Sequence, residues 1–327
     1  MCIEDFLSEW NNDSDRVLVH TSGSTGQPKP LWVEKRRMEA SARITCGFLG
    51  LKEGDTALLC LPLDYIAGKM MVVRALTCGL RLVSVEPSGH PLRNSLLSPL
   101  DLVAMVPLQV YNSLQVPEER ERLRQVKHLI IGGGAIDEAM ARELRDFPNA
   151  VWSTYGMTET LSHIALRRLS GPGASEWYSP FESVAVTLND EGCLVIDAPL
   201  MCPQRLVTND IAEMDAQGRF RILGRKDNVI CSGGVKIQIE EVESLLRKYT
   251  SAPFLISKCQ HKKFGEAVVL LTECTDVQSL KTLCREVLPS FWQPRYYLHT
   301  DRLPLTATGK PARKEAERLS AALAVEV

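Results

Sequence analysis

Short runs of Val, Ile and Leu alternate with longer amphipathic segments from Arg16 to about Tyr155, and this alternation constrains the fold most strongly. Apolar runs without a polar face are typical of strands that helices cover on both sides of a parallel sheet. The strand-like runs are 17–19, 56–61, 81–85, 102–106, 128–131 and 150–154. The helical segments are 34–49, 65–79 and 137–145. The pattern predicts an α/β fold with a mostly parallel, covered sheet.

The character of the sequence changes after about Gly171. An apolar run at 184–188, a polar turn at 189–192 and a second apolar run at 193–196 predict a β-hairpin. A further antiparallel pair is expected within 206–222, around a turn at Gln217 and Gly218. These segments predict a β-rich subdomain.

The length of 327 residues is too great for one ordinary core and predicts two domains. We place a large N-terminal domain at 1–223, which includes the β-rich subdomain. A small α+β C-terminal domain, joined by a hinge, follows at 224–327. Its expected elements are helices at 239–248 and 277–287 and a strand at 266–273.

Charge and cysteine usage exclude several functions. A formal net charge of −2 lacks the basic excess of nucleic-acid-binding proteins. The ten cysteines form no C-x-x-C pair, which predicts reduced thiols rather than disulfides or a zinc site. No apolar run approaches the roughly 18 residues of a membrane span, and acidic Glu4 and Asp5 stand where a signal peptide would be basic. We therefore expect a cytoplasmic protein that binds neither nucleic acid nor membrane.

A loop rich in glycine and hydroxyl residues follows the first predicted strand. Its backbone N–H groups, hydroxyls and lysine are the groups that cradle a phosphate. The residues are Thr21, Ser22, Gly23, Ser24, Thr25, Gly26 and Lys29. The spacing differs from the P-loop pattern. A flexible polar linker is the alternative, but the sharp boundaries of the segment favour phosphate binding.

This loop resembles the phosphate loop of the adenylate-forming superfamily, which includes acyl- and aryl-CoA synthetases. Four more segments resemble signatures of this superfamily, and all five stand in the same order along the chain. They are Gly132-Gly133-Gly134-Ala135, Tyr155-Gly156-Met157-Thr158-Glu159, Gly224 to Ile237, and Pro304 to Lys310. The resemblance implies an acid–thiol ligase that uses ATP, Mg²⁺ and coenzyme A. It forms an acyl-adenylate first and a thioester second.

The resemblance assigns nucleotide-binding roles to several residues. Tyr155 and Gly156 would contact adenine beside the turn Gly132, Gly133, Gly134 and Ala135. Thr158 would bind a phosphate, and Glu159 would be the Mg²⁺ ligand. Asp210 would bind the ribose, with Arg225 near the ribose and phosphate. Taken alone, the glycine turn and the tyrosine would equally suit an ordinary strand end and a core.

The C-terminal matches imply a moving domain. Lys310 would neutralise charge as the carboxylate attacks the α-phosphate. Asp227 would be the hinge, and Gly233 and Gly234 would face the pantetheine arm of coenzyme A. Gly usually precedes the ribose-binding Asp in the family, whereas Asn209 stands here. We expect Asn209 to keep the same left-handed turn.

The acid substrate is the least constrained element. The candidate pocket residues are Tyr65, Lys69, Arg74, Ser162 and His163. Lys69 or Arg74 could meet a second carboxylate, but both could equally be solvent-facing helix charges, and a lone histidine is more often structural. The segments 61–68 and 158–163 resemble the o-succinylbenzoate–CoA ligases of menaquinone biosynthesis.

Several alternatives stay open at this point. The acid could be another aryl or short-chain carboxylate, the acyl group could pass to a carrier protein, or the chain could be an inactive nucleotide-binding relative. The phosphate loop begins at residue 21, earlier than is usual in the family, which predicts a shortened N-terminal domain. A homodimer could cover a sheet that this shortening leaves exposed.

Overall fold

The computed structural model describes residues 1–20, 30–93, 99–306 and 310–324. The helices are α1 (Ile3–Trp10), α2 (Lys35–Leu49), α3 (Ile66–Cys78), α4 (Pro107–Gln115), α5 (Pro117–Gln125), α6 (Glu138–Arg145), α7 (Ile239–Arg247), α8 (Val277–Val287) and α9 (Arg313–Leu323).

The strands of the N-terminal part are β1 (Arg16–His20), β2 (Pro30–Glu34), β3 (Thr56–Leu59), β4 (Arg81–Ser84), β5 (Leu102–Met105), β6 (His128–Ile131), β7 (Ala150–Gly156), β8 (His163–Arg168), β9 (Ser179–Pro180), β10 (Ala185–Leu188), β11 (Cys193–Asp197), β12 (Leu206–Met214) and β13 (Phe220–Arg225). The C-terminal strands are β14 (Val229–Ser232), β15 (Val235–Gln238), β16 (Phe254–His261), β17 (Gly265–Thr272) and β18 (Tyr296–His299).

The largest sheet confirms the predicted α/β fold. Within the described residues its order is β4-β3-β5-β6-β7-β8-β9. The strands β3 to β7 run parallel, whereas β8 and β9 are antiparallel. Alternate residues of β3 enter different cores, Leu58 on the side of α4 and α5 and Leu59 on the side of α2 and α3. Burial on both faces explains the continuous apolar runs.

The first strand does not join this sheet. β1 pairs with β2 in a separate antiparallel hairpin, in which His20 faces Pro30. The core side chains Val17 and Val19 nevertheless pack into the cluster that contains α2 and α3. The predicted phosphate loop, 21–29, connects these two strands and lies outside the described residues.

The β-rich subdomain is a four-stranded antiparallel sheet of order β10-β11-β12-β13. Both predicted hairpins are present, with turns at 189–192 and 215–219. β13 continues to Arg225, so this sheet ends one residue beyond the predicted domain start at 224. A short 3₁₀ helix, Lys226–Asn228, leads from it into the C-terminal sheet.

The C-terminal sheet runs β15-β14-β17-β16, with β18 parallel to β17. α7 and α8 pack around one apolar cluster and α9 packs at the other. α8 begins and ends at the predicted residues. None of the helices that the structure describes has the length and apolar character needed to cross a lipid bilayer.

Two glycines in helices offer a matched test of this packing. A Cβ on Gly68 would lie 2.3 Å from the carbonyl oxygen of Pro62, whereas a Cβ on Gly47 would meet nothing within 4 Å. Gly68→Ala should cost about 1–3 kcal/mol of unfolding free energy, because the backbone must move. Gly47→Ala should gain about 0.5–1 kcal/mol from the lower entropy of the unfolded chain. Urea unfolding of both variants measures the difference, and equal values would contradict the packing at Gly68.

Candidate active site

The carboxyl end of β7 forms a tight corner. After Gly156 the chain makes one 3₁₀ turn, Thr158–Thr160, and Leu161 then adopts a positive φ of 65° before β8 begins. A Cβ on Gly156 would lie 2.2 Å from the carbonyl oxygen of Ser162. Only glycine therefore fits at this position. The corner brings Tyr155 and Ser162 to the same end of the sheet.

Tyr155 is joined to the four-stranded sheet by its hydroxyl. This hydroxyl donates a hydrogen bond of 2.5 Å to Asp210 Oδ2. Burial and the Asp210 carboxylate raise the pKa of Tyr155. The ring packs edge-on against Phe220, with centroids 5.1 Å apart. Two residues predicted to hold the nucleoside, Tyr155 and Asp210, are therefore in direct contact.

Arg225 lies at the centre of the predicted nucleotide-binding residues. Its Nη1 is 2.9 Å from Asp210 Oδ1, and its Nη2 is 2.9 Å from Asp227 Oδ2. Asp210 and Arg225 are also register partners across β12 and β13. One guanidinium thus connects the predicted ribose-binding Asp with the predicted hinge.

The expected left-handed turn before Asp210 is wrong. Asn209 and Asp210 both lie within β12, and Leu161 is the non-glycine residue with positive φ in the part of the chain that the structure describes. The backbone N–H of Asp210 donates to Thr208 Oγ1 at 3.0 Å. Strand pairing with β13 holds the aspartate in place, so no special backbone conformation is needed.

Lys310 lies near Arg225 in this structure. The surrounding protein lowers the pKa of Lys310, first by burial and next by the positive charge of Arg225. The Lys310 N–H donates to Thr306 Oγ1 at 3.1 Å, and its carbonyl accepts from the Thr306 N–H at 2.7 Å. The C-terminal lysine therefore stands in the electrostatic field of the predicted nucleotide-binding residues.

The remaining nucleotide-side residues lie at neighbouring strand ends. Gly132 follows β6, and a Cβ there would be 2.4 Å from Thr154 Oγ1 on β7. Gly133 has a φ of +80°, and Ala135 is exposed. A close backbone turn therefore borders the end of β7, with Gly134 also part of it.

Thr158 and Glu159 differ in exposure. Thr158 is buried, whereas Glu159 is exposed and has no hydrogen bond or ion pair to any residue that the structure describes. Such a free carboxylate fits Mg²⁺, which is held by one or two carboxylates together with the phosphates of its substrate. The described residues include no group of three or more histidine, cysteine, aspartate or glutamate side chains that could hold a metal ion.

Arg74 is a buried cation without an acidic partner. Its exposed fraction is 2%, its Nη2 is 2.7 Å from Ser162 Oγ, and its Nη1 is 3.6 Å from Met71 Sδ. The Nε–H is buried and has no hydrogen-bond partner in the part of the chain that the structure describes. Burial lowers the pKa of Arg74 to about 10. Among the described residues, no carboxylate lies within ion-pair distance of this guanidinium.

Ser162 and His163 lie beside Arg74. The Ser162 Oγ is 3.2 Å from His163 Nδ1, and His163 Nε2 is 3.1 Å from Thr45 Oγ1 on α2. Burial, followed by the charge of Arg74, lowers the pKa of His163 well below its ordinary range. The structure thus brings together three of the five predicted substrate-side residues.

The ammonium of Lys69 binds groups of α1 and β1, which corrects the expectation that it could meet a substrate carboxylate. Its ammonium donates to the Leu18 carbonyl at 2.8 Å and is 3.3 Å from Glu9 Oε2. It also lies 5.2 Å from the centre of the Phe6 ring. Lys69 therefore fastens α1 and β1 to α3. Tyr65 is the residue that precedes α3, and it is half-buried.

The predicted coenzyme-side loop is a two-residue hairpin turn. Gly233 and Gly234 connect β14 to β15 with φ values of +59° and +84°. Turns of this kind require positive φ at both central residues, so the hairpin itself demands this glycine pair. Five phosphate-loop candidates (Thr21, Ser22, Ser24, Thr25 and Lys29) lie outside the described residues.

Thr45 and Phe220 are contact residues that the sequence did not reveal. Thr45 meets His163 from 118 positions away, and Phe220 packs on Tyr155 from another sheet. Neither belongs to a local motif. Thr45 lies in the middle of α2, and its burial is visible only in the structure.

Comparison with known proteins assigns the class. The family model described as AMP-binding enzyme matches residues 6–200, and the chain belongs to this family. Its class, an AMP-forming acid–CoA ligase, is the one predicted from the motifs. An acyl-CoA synthetase (AMP-forming)/AMP-acid ligase II-like protein from Dyadobacter fermentans is 33% identical, with a TM-score of 0.65, over 97% of this chain and 92% of its own.

Two further relatives carry a more specific name. The 2-succinylbenzoate–CoA ligase of Listeria innocua is 26% identical over 95% of this chain and 71% of its own. The o-succinylbenzoate coenzyme A synthetase of Bacillus subtilis, solved with ATP and magnesium, has a TM-score of 0.75 at 24% identity, over 91% of this chain and 69% of its own. At that identity the second similarity is one of fold.

The buried histidine should make stability depend on pH. Because the folded protein disfavours the proton on His163, the unfolded chain binds it more readily once the pH falls below about 6.5. The unfolding free energy should then fall with decreasing pH, with this residue contributing a slope of at most about 1.4 kcal/mol per pH unit. Urea unfolding between pH 7.5 and 5 should show a shallower slope for His163→Asn than for the wild type. The exposed His299→Asn is the control, and it should keep the wild-type slope.

Proposed function

We propose that this protein activates o-succinylbenzoate with ATP and transfers the acyl group to coenzyme A. The observation that carries the proposal is the buried guanidinium of Arg74, which lacks a carboxylate partner among the described residues. It lies against Ser162, which follows the corner at the end of β7. The acid o-succinylbenzoate has two carboxylates, so one can react while the other pairs with Arg74.

The energetics favour such a partner. Removing a charge from water is costly unless the charge is paired and hydrogen-bonded. A guanidinium is suited to planar carboxylates because it offers two N–H groups in a fixed fork. The unpartnered Nε–H of Arg74 is a donor that a bound carboxylate would satisfy. A monocarboxylic acid would leave this cation unpaired.

The relatives support the same substrate. Proteins named 2-succinylbenzoate–CoA ligase from Listeria innocua and Bacillus subtilis are 26% and 25% identical over 95% and 93% of this chain. The similarity thus extends through both the predicted N-terminal and C-terminal domains. The divergence is large enough for the acid to differ, which makes the acid the point to test.

The described residues can perform the first half-reaction without a protein nucleophile. Tyr155 and Asp210 would hold the nucleoside, and Arg225 would bind near the ribose and phosphate. Lys310 would place its charge where negative charge develops as the substrate carboxylate attacks the α-phosphate. Mg²⁺ bound with ATP, next to Glu159, would supply further neutralisation of phosphate charge.

The second half-reaction would require a rearrangement about Asp227. In this structure Asp227 is held by Arg225, and the charge of Arg225 also acts on Lys310. This arrangement suits adenylate formation. A rotation of the C-terminal domain, predicted at 224–327, would withdraw Lys310 and present Gly233 and Gly234 to coenzyme A.

The role of Arg74 can be tested with two acids. Arg74→Met should raise the KM for o-succinylbenzoate about 10- to 100-fold, the effect of losing one buried charged hydrogen bond of about 1.5–3 kcal/mol. The KM for ATP should stay unchanged, and so should the low activity with 4-oxo-4-phenylbutanoate, which lacks the ring carboxylate. Acid-dependent release of pyrophosphate measures both acids.

The exposed Arg142→Met is the matched control and should behave as the wild type. An equal loss with both acids in Arg74→Met would contradict recognition of a second carboxylate. Failure of the wild type to form acyl-adenylate from o-succinylbenzoate would reject this acid.

The role of Lys310 can be separated by half-reaction. Lys310→Ala should lower the rate of adenylate formation at least about 100-fold, the magnitude typical for removing one group that stabilises transition-state charge. Thioester formation from preformed acyl-adenylate and coenzyme A should continue at a rate near that of the wild type. Mass spectrometry of acyl-AMP and acyl-CoA follows both steps, and an equal loss of both would count against the assigned role.

A further inference from the structure

A directed chain of hydrogen bonds runs from Arg74 into the core. A guanidinium has only donors, so the Ser162 oxygen accepts from Arg74 Nη2 at 2.7 Å. The single hydroxyl hydrogen of Ser162 then goes to His163 Nδ1 at 3.2 Å. An accepting Nδ1 carries no hydrogen, so the neutral imidazole holds its hydrogen on Nε2.

This chain of hydrogen bonds continues to α2, where it ends at the carbonyl oxygen of Ser41. His163 Nε2–H donates to Thr45 Oγ1 at 3.1 Å, and the Thr45 hydroxyl donates to the carbonyl oxygen of Ser41 at 3.0 Å. Each hydroxyl hydrogen is used once, so this is the one direction that satisfies every bond. The lowered pKa of His163 agrees with the neutral form that the chain needs.

The direction of the chain has a consequence for Arg74. Ser162 has committed its hydrogen to His163, so towards Arg74 it acts as an acceptor and holds Nη2. The Nε–H stays without a partner. The members of the chain come from α2, α3 and the start of β8, and all except Ser162 are buried. Rigid elements therefore fix the orientation of the guanidinium before any acid binds.

We infer that His163 and Thr45 are positioning residues for acid recognition: acting through Ser162, they hold the Arg74 guanidinium in the orientation that offers its free Nε–H to the second carboxylate of the acid. This inference rests on the proposed function. His163 and Thr45 take no part in the chemical step, and they act through Arg74. Their effect is therefore confined to acids that carry the second carboxylate.

Four substitutions test the chain. His163→Leu removes both ring hydrogen bonds, whereas His163→Asn keeps an amide oxygen near the position of Nδ1 as an acceptor for Ser162. Thr45→Val removes the hydroxyl at constant shape. Ser41→Ala is the matched control on α2, because the Ser41 hydroxyl is equally buried but makes no hydrogen bond.

The readout is the split between KM and kcat with two acids. His163→Leu should raise the KM for o-succinylbenzoate about 5- to 10-fold and Thr45→Val about 3-fold, the range expected for one uncharged hydrogen bond. In both variants kcat, the KM for ATP and activity with 4-oxo-4-phenylbutanoate should stay within about twofold of the wild type. His163→Asn keeps the bond to Ser162 but loses the bond to Thr45. It should therefore restore the KM only to about 3-fold above the wild-type value, as in Thr45→Val, and Ser41→Ala should have no effect. Melting temperatures show that each variant is folded.

Two failures can be told apart. If the wild type and Arg74→Met behave as proposed, but His163→Leu and Thr45→Val match Ser41→Ala, the inference is overturned and the proposed function stands. The inference is also overturned if His163→Leu impairs both acids equally, or if His163→Asn fails to rescue the KM while remaining folded. If the wild type does not activate o-succinylbenzoate, the proposed function fails and the inference fails with it.

Discussion

The double ion pair of Arg225 connects the residues predicted to bind the nucleoside with the predicted hinge. Arg225 ends the last strand of the four-stranded sheet, where it binds Asp210 on one side and Asp227 in the connection to the C-terminal domain on the other. Through Asp210 it also reaches Tyr155 at the end of the parallel sheet. Its charge acts on Lys310 as well. Under the proposed function, Arg225 and Lys310 would both place positive charge near the triphosphate of ATP.

The environment of Arg74 is the opposite of that of Arg225. Arg225 is half-exposed and has two carboxylate partners, whereas Arg74 is buried and has none among the residues described. Among the residues that the structure describes, the ionisable groups that favour the charged form of Arg74 are the thiols of Cys46 and Cys78, which are weak partners for a cation. Under the proposed function, the second carboxylate of the acid would complete the interactions of this cation. The hydrogen bond to Ser162 limits how the cation can turn.

The elements that local periodicity defines were predicted well. The helix at 277–287 and the hairpin across 184–196 are present as expected, because apolar spacing and turn residues act over a few positions. The placement of 17–19 in the main sheet failed, since strand pairing depends on partners elsewhere in the chain. The left-handed turn expected at Asn209 failed for a similar reason, because pairing with the neighbouring strand overrode the local preference. Lys69 was a candidate for binding a substrate carboxylate or for a solvent-facing charge, yet its ammonium pairs with the carboxylate of Glu9 in α1, to which no local pattern connects it.

Five ordered motifs and the apolar alternation were enough to establish the enzyme class and the α/β fold, because both are written in residues that stand close together along the chain. The burial, ion pairing and hydrogen bonding of the charged and polar side chains depend on tertiary packing instead. The helix of Arg74 is apolar over most of its length, and solvent exposure and burial of that arginine were equally compatible with its sequence. Burial, the missing carboxylate and the contact between Thr45 and His163 arise where α2, α3 and β8 meet. Desolvation and hydrogen-bond direction depend on contacts between segments that are distant in the sequence. The tertiary structure alone could therefore define them.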